Sequence, residues 1–122
     1  MQDTAPPNDL PVLDRSTLDR LCAALEEAAA DVIDEYLTDT PRLLDQLGSA
    51  LENGDSDTVA GLAHQLKSSS GALGGSQTQA LAAAVEQAAK TGNSDDLAGQ
   101  CRTLQNAIDA FMRSLQAYRN QI

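Results

Sequence analysis

This chain contains few aromatic residues, no tryptophan and a single histidine. Aromatic side chains make up 2% of its 122 residues, whereas hydrophobic residues make up 42%. Leucine, alanine, valine and isoleucine must therefore form the core, and these side chains suit closely packed helices. β-Branched residues are also few, and no segment alternates apolar and polar residues as a half-buried strand does. The composition predicts one all-α domain with one core and no sheet.

The chain also lacks a long apolar run and a basic composition. No stretch is apolar for long enough to cross a bilayer and no signal peptide is visible, so we expect a cytoplasmic protein. The formal net charge is −10, and residues 1–60 hold fourteen acidic residues against three basic ones. Nucleic acid and anionic membrane both need a basic surface, so we expect neither as a partner.

Cysteine is scarce, and both cysteines fall at apolar helical positions. Cys22 and Cys101 are therefore interpreted as two buried thiols in a reducing compartment, with a disulfide as the alternative. One histidine and two core cysteines leave only carboxylates to complete a metal shell, and no ligand spacing supports one. We therefore expect no bound metal or cofactor.

Proline and capping residues divide the chain into a tail and five helical segments. Residues 1–12 contain three prolines and no periodicity, which predicts a flexible tail before a domain over residues 13–122. The first segment starts at Ser16, where Ser16 followed by Asp19 has the spacing of a capping box. The next three segments cover about 28–52, 55–73 and 77–91, and the last starts at Ser94. The last one repeats apolar residues at Leu97, Cys101, Leu104, Ile108, Phe111, Leu115 and Tyr118. Short loops between the four longer helices predict an antiparallel up-and-down four-helix bundle with a short additional N-terminal helix.

The sequence also predicts the continuity of the second helix and the start of the fourth. Pro41 lies inside the second segment, but the apolar phase continues across it, which favours one kinked helix over two separate helices. Ser76 and Gln79 have the spacing of a capping box, which predicts the start of the fourth helix.

The only histidine, His64, lies opposite the apolar stripe of the third segment. At about 100° per residue, the stripe consists of Val59, Leu62, Leu66, Ser69 and Leu73. The residues within about 60° of His64 are mostly small or polar, namely Asp57, Ala60, Gly61, Lys67, Ser68 and Gly71. Each glycine costs up to about 1 kcal/mol of helix stability relative to alanine. This cost on an exposed face favours a surface that a large partner approaches closely.

An exposed imidazole beside a lysine is suited to phosphoryl chemistry. A hydrolytic triad would need a pocket and an oxyanion hole, which a solvated helix face does not offer. A neutral imidazole nitrogen can instead accept a phosphoryl group directly. Lys67 lies one turn from His64 on the same face, where its charge can stabilise the anionic product, and the Ser68 hydroxyl can donate a hydrogen bond to it.

The run from His64 to Gly74 reads His-Gln-Leu-Lys-Ser-Ser-Ser-Gly-Ala-Leu-Gly. It resembles the signature of histidine-containing phosphotransfer domains, which is His, any residue, an apolar residue, Lys, several small residues, an apolar residue and Gly. The resemblance extends over most of the chain, through Tyr36-Leu37 with the following Pro41, residues 44–51, and Val85-Glu86 ahead of Gly92. Many members of the family have glycine directly after the lysine, where this chain has Ser68.

The resemblance implies that His64 accepts a phosphoryl group from the aspartyl phosphate of a response-regulator receiver domain and passes it to another receiver. Lys67 would orient and neutralise the phosphoryl group. The Mg²⁺ that assists transfer would be held by the receiver, and the phosphoryl group would originate from a hybrid sensor histidine kinase. We expect the chain itself to be a monomer and a stoichiometric carrier rather than an enzyme, since it has no Gly-rich phosphate loop or other nucleotide-binding motif.

The resemblance also implies roles for residues around the histidine. Small residues would let the loops of the receiver approach, and these are Ala60, Gly61, Ser68 and Gly71. On the fourth helix, Lys90 would supply a second cation, and either Gln87 or Glu86 would hydrogen-bond the other ring nitrogen.

The alternative function is a helical interaction module without phosphoryl chemistry. Such a module would use the acidic faces or the small-residue patch to dock a partner helix. The two functions differ in the expected effect of His64→Ala, which would preserve the interaction module but abolish phosphate uptake by a phosphotransfer protein. A bulky residue at Gly61 or Gly71 would destroy the function of the interaction module.

Overall fold

A computed structural model describes residues 9–92 and 95–122, and within those ranges it contains five α-helices and no strand. The helices are α1 (Arg15–Leu25), α2 (Ala28–Glu52), α3 (Ser56–Ala72), α4 (Ser76–Thr91) and α5 (Leu97–Arg119). α3 packs against α2 and α4, α5 packs against α4 and α2, and α1 packs against α2. The all-α prediction is confirmed. None of the helices in the described ranges combines the length and the apolar composition needed to cross a membrane.

The capping residues differ from the prediction at two helix starts. Asp14, rather than Ser16, caps α1, because its carboxylate accepts a hydrogen bond from the backbone N–H of Ser16 at 3.2 Å. α4 begins at Ser76 without a side-chain cap, so the predicted capping box with Gln79 does not form. The predicted helix start at Ser94 lies outside the described residues.

α2 is one continuous helix across Pro41, as the apolar phase predicted. It ends at Glu52, and α3 begins four residues later behind Asp55. The Asp55 carboxylate accepts a hydrogen bond from the backbone N–H of Thr58 at 3.2 Å, which satisfies one of the free donors at the start of α3.

The hydrophobic core divides into two clusters of different composition. The first, called the aromatic cluster, contains every aromatic residue of the chain; its buried members are Leu18, Ile33, Tyr36, Leu73, Phe111, Leu115 and Tyr118. The second, called the alanine cluster, includes six alanines, namely Ala50, Ala60, Ala63, Ala82, Ala88 and Ala89, together with leucines, valines, Cys101 and Ile108. In the aromatic cluster the rings of Tyr36 and Phe111 meet edge to face, with their centroids 5.4 Å apart.

The turn between α3 and α4 requires both of its glycines. Gly74 has a φ of +87°, a left-handed conformation that other residues rarely adopt, and a Cβ there would lie 2.6 Å from the backbone oxygen of Asp14. A Cβ on Gly75 would lie 2.9 Å from the ring of Phe111. The turn is therefore packed between the aromatic cluster and the start of α1.

The segment before α1 is attached to the same turn. The N–H of Asp14 donates a hydrogen bond to the carbonyl of Gly74 at 2.7 Å, and the N–H of Gln77 donates to the carbonyl of Pro11 at 3.2 Å. Val12 packs against the aromatic cluster. Pro11 and Val12, which the sequence placed in a flexible tail, therefore contact the domain, while residues 1–8 of that tail lie outside the described residues.

Both cysteines are free thiols, as the compositional argument favoured. Cys101 is buried in the alanine cluster, and burial raises the pKa of its thiol. The prediction that Cys22 is buried is wrong, because Cys22 is only partly buried and packs at the edge of the aromatic cluster.

Candidate functional site

α3 has one face in the core and the opposite face in solvent, as its sequence pattern predicted. Val59, Leu62 and Leu66 are buried in the alanine cluster. The side chain of His64 is 60% exposed. A partner can therefore reach the imidazole without any rearrangement of the core.

Four charged or titratable side chains meet at this position and are called the Glu86 cluster: His64 and Lys67 from α3, and Glu86 and Lys90 from α4. Oε2 of Glu86 lies 3.0 Å from Nδ1 of His64. Nζ of Lys67 donates a hydrogen bond to Oε1 of Glu86 at 2.8 Å, and Nζ of Lys90 lies 2.9 Å from Oε2. The side chain of Glu86 is only 8% exposed, whereas those of Lys67 and Lys90 are 30% and 60% exposed. One carboxylate therefore links the imidazole to both lysines.

The position of Glu86 follows from the register of α4. Glu86 lies four residues after Ala82 and three before Ala89, and both alanines are buried. Side chains at these spacings share one helix face, so Glu86 belongs to the face that packs in the core. Lys90 follows Glu86 by four residues, which is the spacing of an intrahelical ion pair.

The two lysines keep Glu86 ionised. Hydrogen bonds from Lys67 and then from Lys90 lower the pKa of Glu86 from 4.5 to about 2, against the opposing effect of burial. An ionised carboxylate can only accept hydrogen bonds, so His64 must donate its Nδ1–H to Oε2. In the neutral ring the lone pair then resides on Nε2, because the hydrogen bond at one nitrogen selects the tautomer.

The sequence left Gln87 and Glu86 as alternative partners of the ring, and the structure brings Glu86 to it. Gln87 is exposed on α4 and is not hydrogen-bonded to His64. A signal for this choice was present in the sequence. Glu86 is the only acidic residue of α4, and it lies on the same buried helix face as Ala82 and Ala89. A carboxylate buried there requires a cationic partner.

The four small residues expected around the histidine fall into two pairs. Gly61 and Ser68 are exposed, and a Cβ on Gly61 would meet no atom within 4 Å. Ala60 is buried, because it packs in the alanine cluster. A Cβ on Gly71 would lie 2.5 Å from the side-chain nitrogen of Gln79, so Gly71 is partly covered by α4. Gly61 and Ser68 therefore form the open surface that was expected, whereas Ala60 and Gly71 are mostly covered by packing within the fold.

A shallow depression beside the ring is lined by Asp57, Ala60, Gly61, His64, Glu86 and Lys90. In the part of the chain that the structure describes, no group of three or more His, Cys, Asp or Glu side chains is arranged to hold a metal ion. The depression places the small residues Ala60 and Gly61 beside His64, with the ammonium group of Lys90 and the carboxylates of Asp57 and Glu86 at its edge.

A family profile and a solved structure are both similar to this chain. The sequence profile described as Hpt domain matches residues 31–114. The crystal structure of histidine-containing phosphotransfer protein B (HptB) from Pseudomonas aeruginosa PAO1 is similar to this fold with a TM-score of 0.87, at 20% sequence identity, over 92% of this chain and 97% of that one. No curated protein sequence matches the chain. At this identity the structural similarity concerns the fold, and the profile match concerns the family.

Proposed function

The chain belongs to the family of histidine-containing phosphotransfer (Hpt) domains, which are phosphorelay intermediates, and we propose that His64 is the residue that carries the phosphoryl group. One observation supports this assignment above all others. The exposed ring of His64 donates its Nδ1–H to the ionised carboxylate of Glu86 at 3.0 Å, and its lone pair is therefore on Nε2.

In the proposed reaction, Nε2 of His64 attacks the phosphorus of an aspartyl phosphate on a receiver domain. The N–P bond forms while the P–O bond to the aspartate breaks, and the aspartate leaves as a carboxylate. Nδ1 keeps its proton throughout. Attack by the aspartate of a second receiver reverses these steps and returns the electron pair to Nε2. Each molecule holds one phosphoryl group on His64 and then gives it up, so the chain acts as a stoichiometric carrier.

Lys67 and Lys90 are proposed to stabilise the phosphorylated form. A phosphoryl group adds about two negative charges beside the ring at neutral pH. Both ammonium groups contact Glu86 in the structure, and both side chains are exposed enough to turn toward phosphoryl oxygens on Nε2. The exposed Ser68 is proposed to donate a further hydrogen bond to these oxygens.

The partners are proposed from the family and the site together. Response-regulator receiver domains are the partners of Hpt domains, and Gly61 and Ser68 offer the open surface on which the active-site loops of a receiver would dock. The Mg²⁺ ion that assists transfer is proposed to be held by the receiver, since the one carboxylate in contact with His64 is already paired with two lysines. We also propose a hybrid sensor histidine kinase upstream, a cytoplasmic monomer, and no interaction with nucleic acid or membrane.

We also propose that α2 to α5 form an antiparallel up-and-down bundle, with α1 as the additional helix. The short connections between helices that pack as neighbours support this arrangement. The domain is proposed to span residues 13–122.

The test is incubation with a phosphorylated receiver domain and Mg²⁺. We expect this protein to become labelled on a histidine, with a label that survives alkali and is lost in acid. His64→Gln is expected to abolish the labelling while leaving the circular dichroism spectrum and the melting temperature unchanged, because His64 is exposed and lies outside the core.

Charge variants refine the same experiment. Lys67→Met is expected to slow uptake, because it removes a cation from the position of the phosphoryl group. Arg102→Met removes a cation from an exposed position on α5, outside the Glu86 cluster, and serves as the matched control. Undiminished labelling of the His64→Gln protein would refute the assignment of His64.

A further inference from the structure

We propose that Glu86 holds the proton on Nδ1 of phosphorylated His64 and thereby keeps the phosphoryl group in a readily transferred form. This inference rests on the proposed phosphorylation of His64 and concerns the lifetime of the phosphorylated state. Glu86 is assigned here as a positioning residue, since it contacts the ring and acts on the phosphoryl group through it.

The proton on Nδ1 determines the form in which the ring leaves when the P–N bond breaks. Attack by Nε2 of a neutral ring produces a phosphorylated imidazolium that still carries Nδ1–H. When the P–N bond later breaks, its electron pair returns to Nε2. The ring then leaves as neutral imidazole if Nδ1 is protonated, or as an imidazolate anion if the proton has been lost. Neutral imidazole is the far better leaving group, so the state of Nδ1 controls how readily phosphate moves to an aspartate or to water.

The geometry of Glu86 favours the protonated ring. Its Oε2 lies 3.0 Å from Nδ1, and Lys67 holds its Oε1 at 2.8 Å in the unphosphorylated protein, so the carboxylate is already oriented toward the ring when the phosphoryl group arrives. An ionised carboxylate cannot donate a hydrogen bond. Loss of the proton from Nδ1 would therefore bring two lone pairs face to face in a site where Glu86 is nearly inaccessible to water.

The charged side chains around His64 have opposite effects on a positive charge on the ring. Lys67 on α3 and Lys90 on α4 oppose a positive charge on the ring, while Asp57 on α3, which lines the same depression, favours it. When the phosphoryl group arrives, the two lysines are proposed to turn toward its oxygens. Glu86 would then lose hydrogen bonds from the lysines and become a stronger acceptor for Nδ1–H.

The test compares the unmodified protein with Glu86→Gln after phosphorylation of both by phosphoramidate, a small donor that requires no receiver domain. Glutamine has the size of glutamate, but its amide can turn an N–H toward Nδ1 and so stabilise the deprotonated ring. Two quantities are measured at pH 8: the ¹⁵N shifts of the ring nitrogens, which report the proton on Nδ1, and the decay rate of the phosphohistidine ³¹P signal. We expect Nδ1 to be protonated in the unmodified protein, and the Glu86→Gln adduct to decay about tenfold more slowly, as a shift of one unit in proton affinity would produce.

Each outcome has one meaning. Equal decay rates, or faster decay of the Glu86→Gln adduct, would overturn the inference and leave His64 as the carrier. A deprotonated Nδ1 in the phosphorylated unmodified protein would overturn it too, and this readout does not depend on whether the variant folds. Absence of phosphohistidine from the unmodified protein with both phosphoramidate and a phosphorylated receiver would overturn the proposed function, and this inference with it.

Discussion

The aromatic cluster and the alanine cluster are both cores between helices, but only the alanine cluster lies beneath His64. The aromatic cluster is filled by large rings, with Tyr36 and Phe111 in contact and Phe111 pressed against Gly75. The alanine cluster includes six alanines and no aromatic residue. Small side chains let α3 and α4 approach closely, and Glu86 can then reach His64 from the neighbouring helix.

The difference suggests a division of roles within one small domain. Rings bury large apolar areas and supply much of the stability of a core. Alanines bury little area each, but they set a short separation between helices, on which the hydrogen bonds of the Glu86 cluster depend. A substitution in the aromatic cluster should therefore change stability, whereas one in the alanine cluster should change stability and phosphoryl transfer together.

Phe111→Ala is the strongest way to test the stability side of this comparison. Phe111 is fully buried, and removal of such a ring typically costs about 3–5 kcal/mol of unfolding free energy. Urea denaturation measures this loss. We expect phosphoryl uptake per folded molecule to remain unchanged at low temperature, because the Glu86 cluster lies on the other half of the core. Reduced uptake by protein that is fully folded would contradict the division.

Ala82→Leu tests the alanine cluster. Ala82 is fully buried one turn before Glu86, and the added bulk should cost about 1–3 kcal/mol and push α4 away from α3. Phosphoryl uptake should fall as well, since the hydrogen bond between Glu86 and His64 would lengthen. Ala84→Leu places the same side chain at an exposed position of α4 and should change stability by less than about 0.5 kcal/mol. If Ala82→Leu lowers stability without affecting uptake, then phosphoryl uptake does not depend on packing in the alanine cluster.

Gly61 and Gly48 offer a matched pair on exposed helix faces, near to and far from His64. A Cβ at either position meets no atom within 4 Å, so Gly→Ala should stabilise the fold by up to about 1 kcal/mol at both. Gly61→Leu should slow transfer from a phosphorylated receiver by about tenfold, the typical effect of a disrupted contact at the centre of an interface. Transfer from phosphoramidate should be spared, and Gly48→Leu should affect neither rate. Equal effects of the two leucines would argue against docking beside Gly61.

The smallest expected effect is a change in the dependence of stability on pH. The pKa of Glu86 is lowered from 4.5 to about 2 in the folded protein. Its contribution to stability is therefore complete above pH 4.5 and is lost as the pH falls toward 2. The difference in unfolding free energy between the unmodified protein and Glu86→Gln should shrink across that window. In Lys90→Gln, which removes one of the two lysines, the pKa of Glu86 in the folded protein is lowered less, so the loss should be smaller and should end at a higher pH. A difference that stays constant from pH 5 to about 2 would show that Glu86 is not held ionised.

Much of the fold followed from local patterns. The repeat of apolar residues placed Leu104, Ile108 and Phe111 on the buried face of α5, and all three are fully buried. The exposed orientation of His64 followed from the same periodicity in α3. Caps were less predictable: Asp14 and Ser16 are both good N-cap residues, and because α1 begins at Arg15, Asp14 occupies the cap and Ser16 lies within the first turn.

Sequence alone determined which residues share a helix face, because the helical repeat is a property of the local backbone. It therefore brought His64 and Lys67 to one exposed surface, and it led to the family through the run that contains them. Tertiary structure decided what lies opposite that surface. The rotation of α4 against α3 depends on how alanines from both helices pack, and this rotation selected Glu86 over Gln87 as the partner of the ring and covered Gly71 with Gln79.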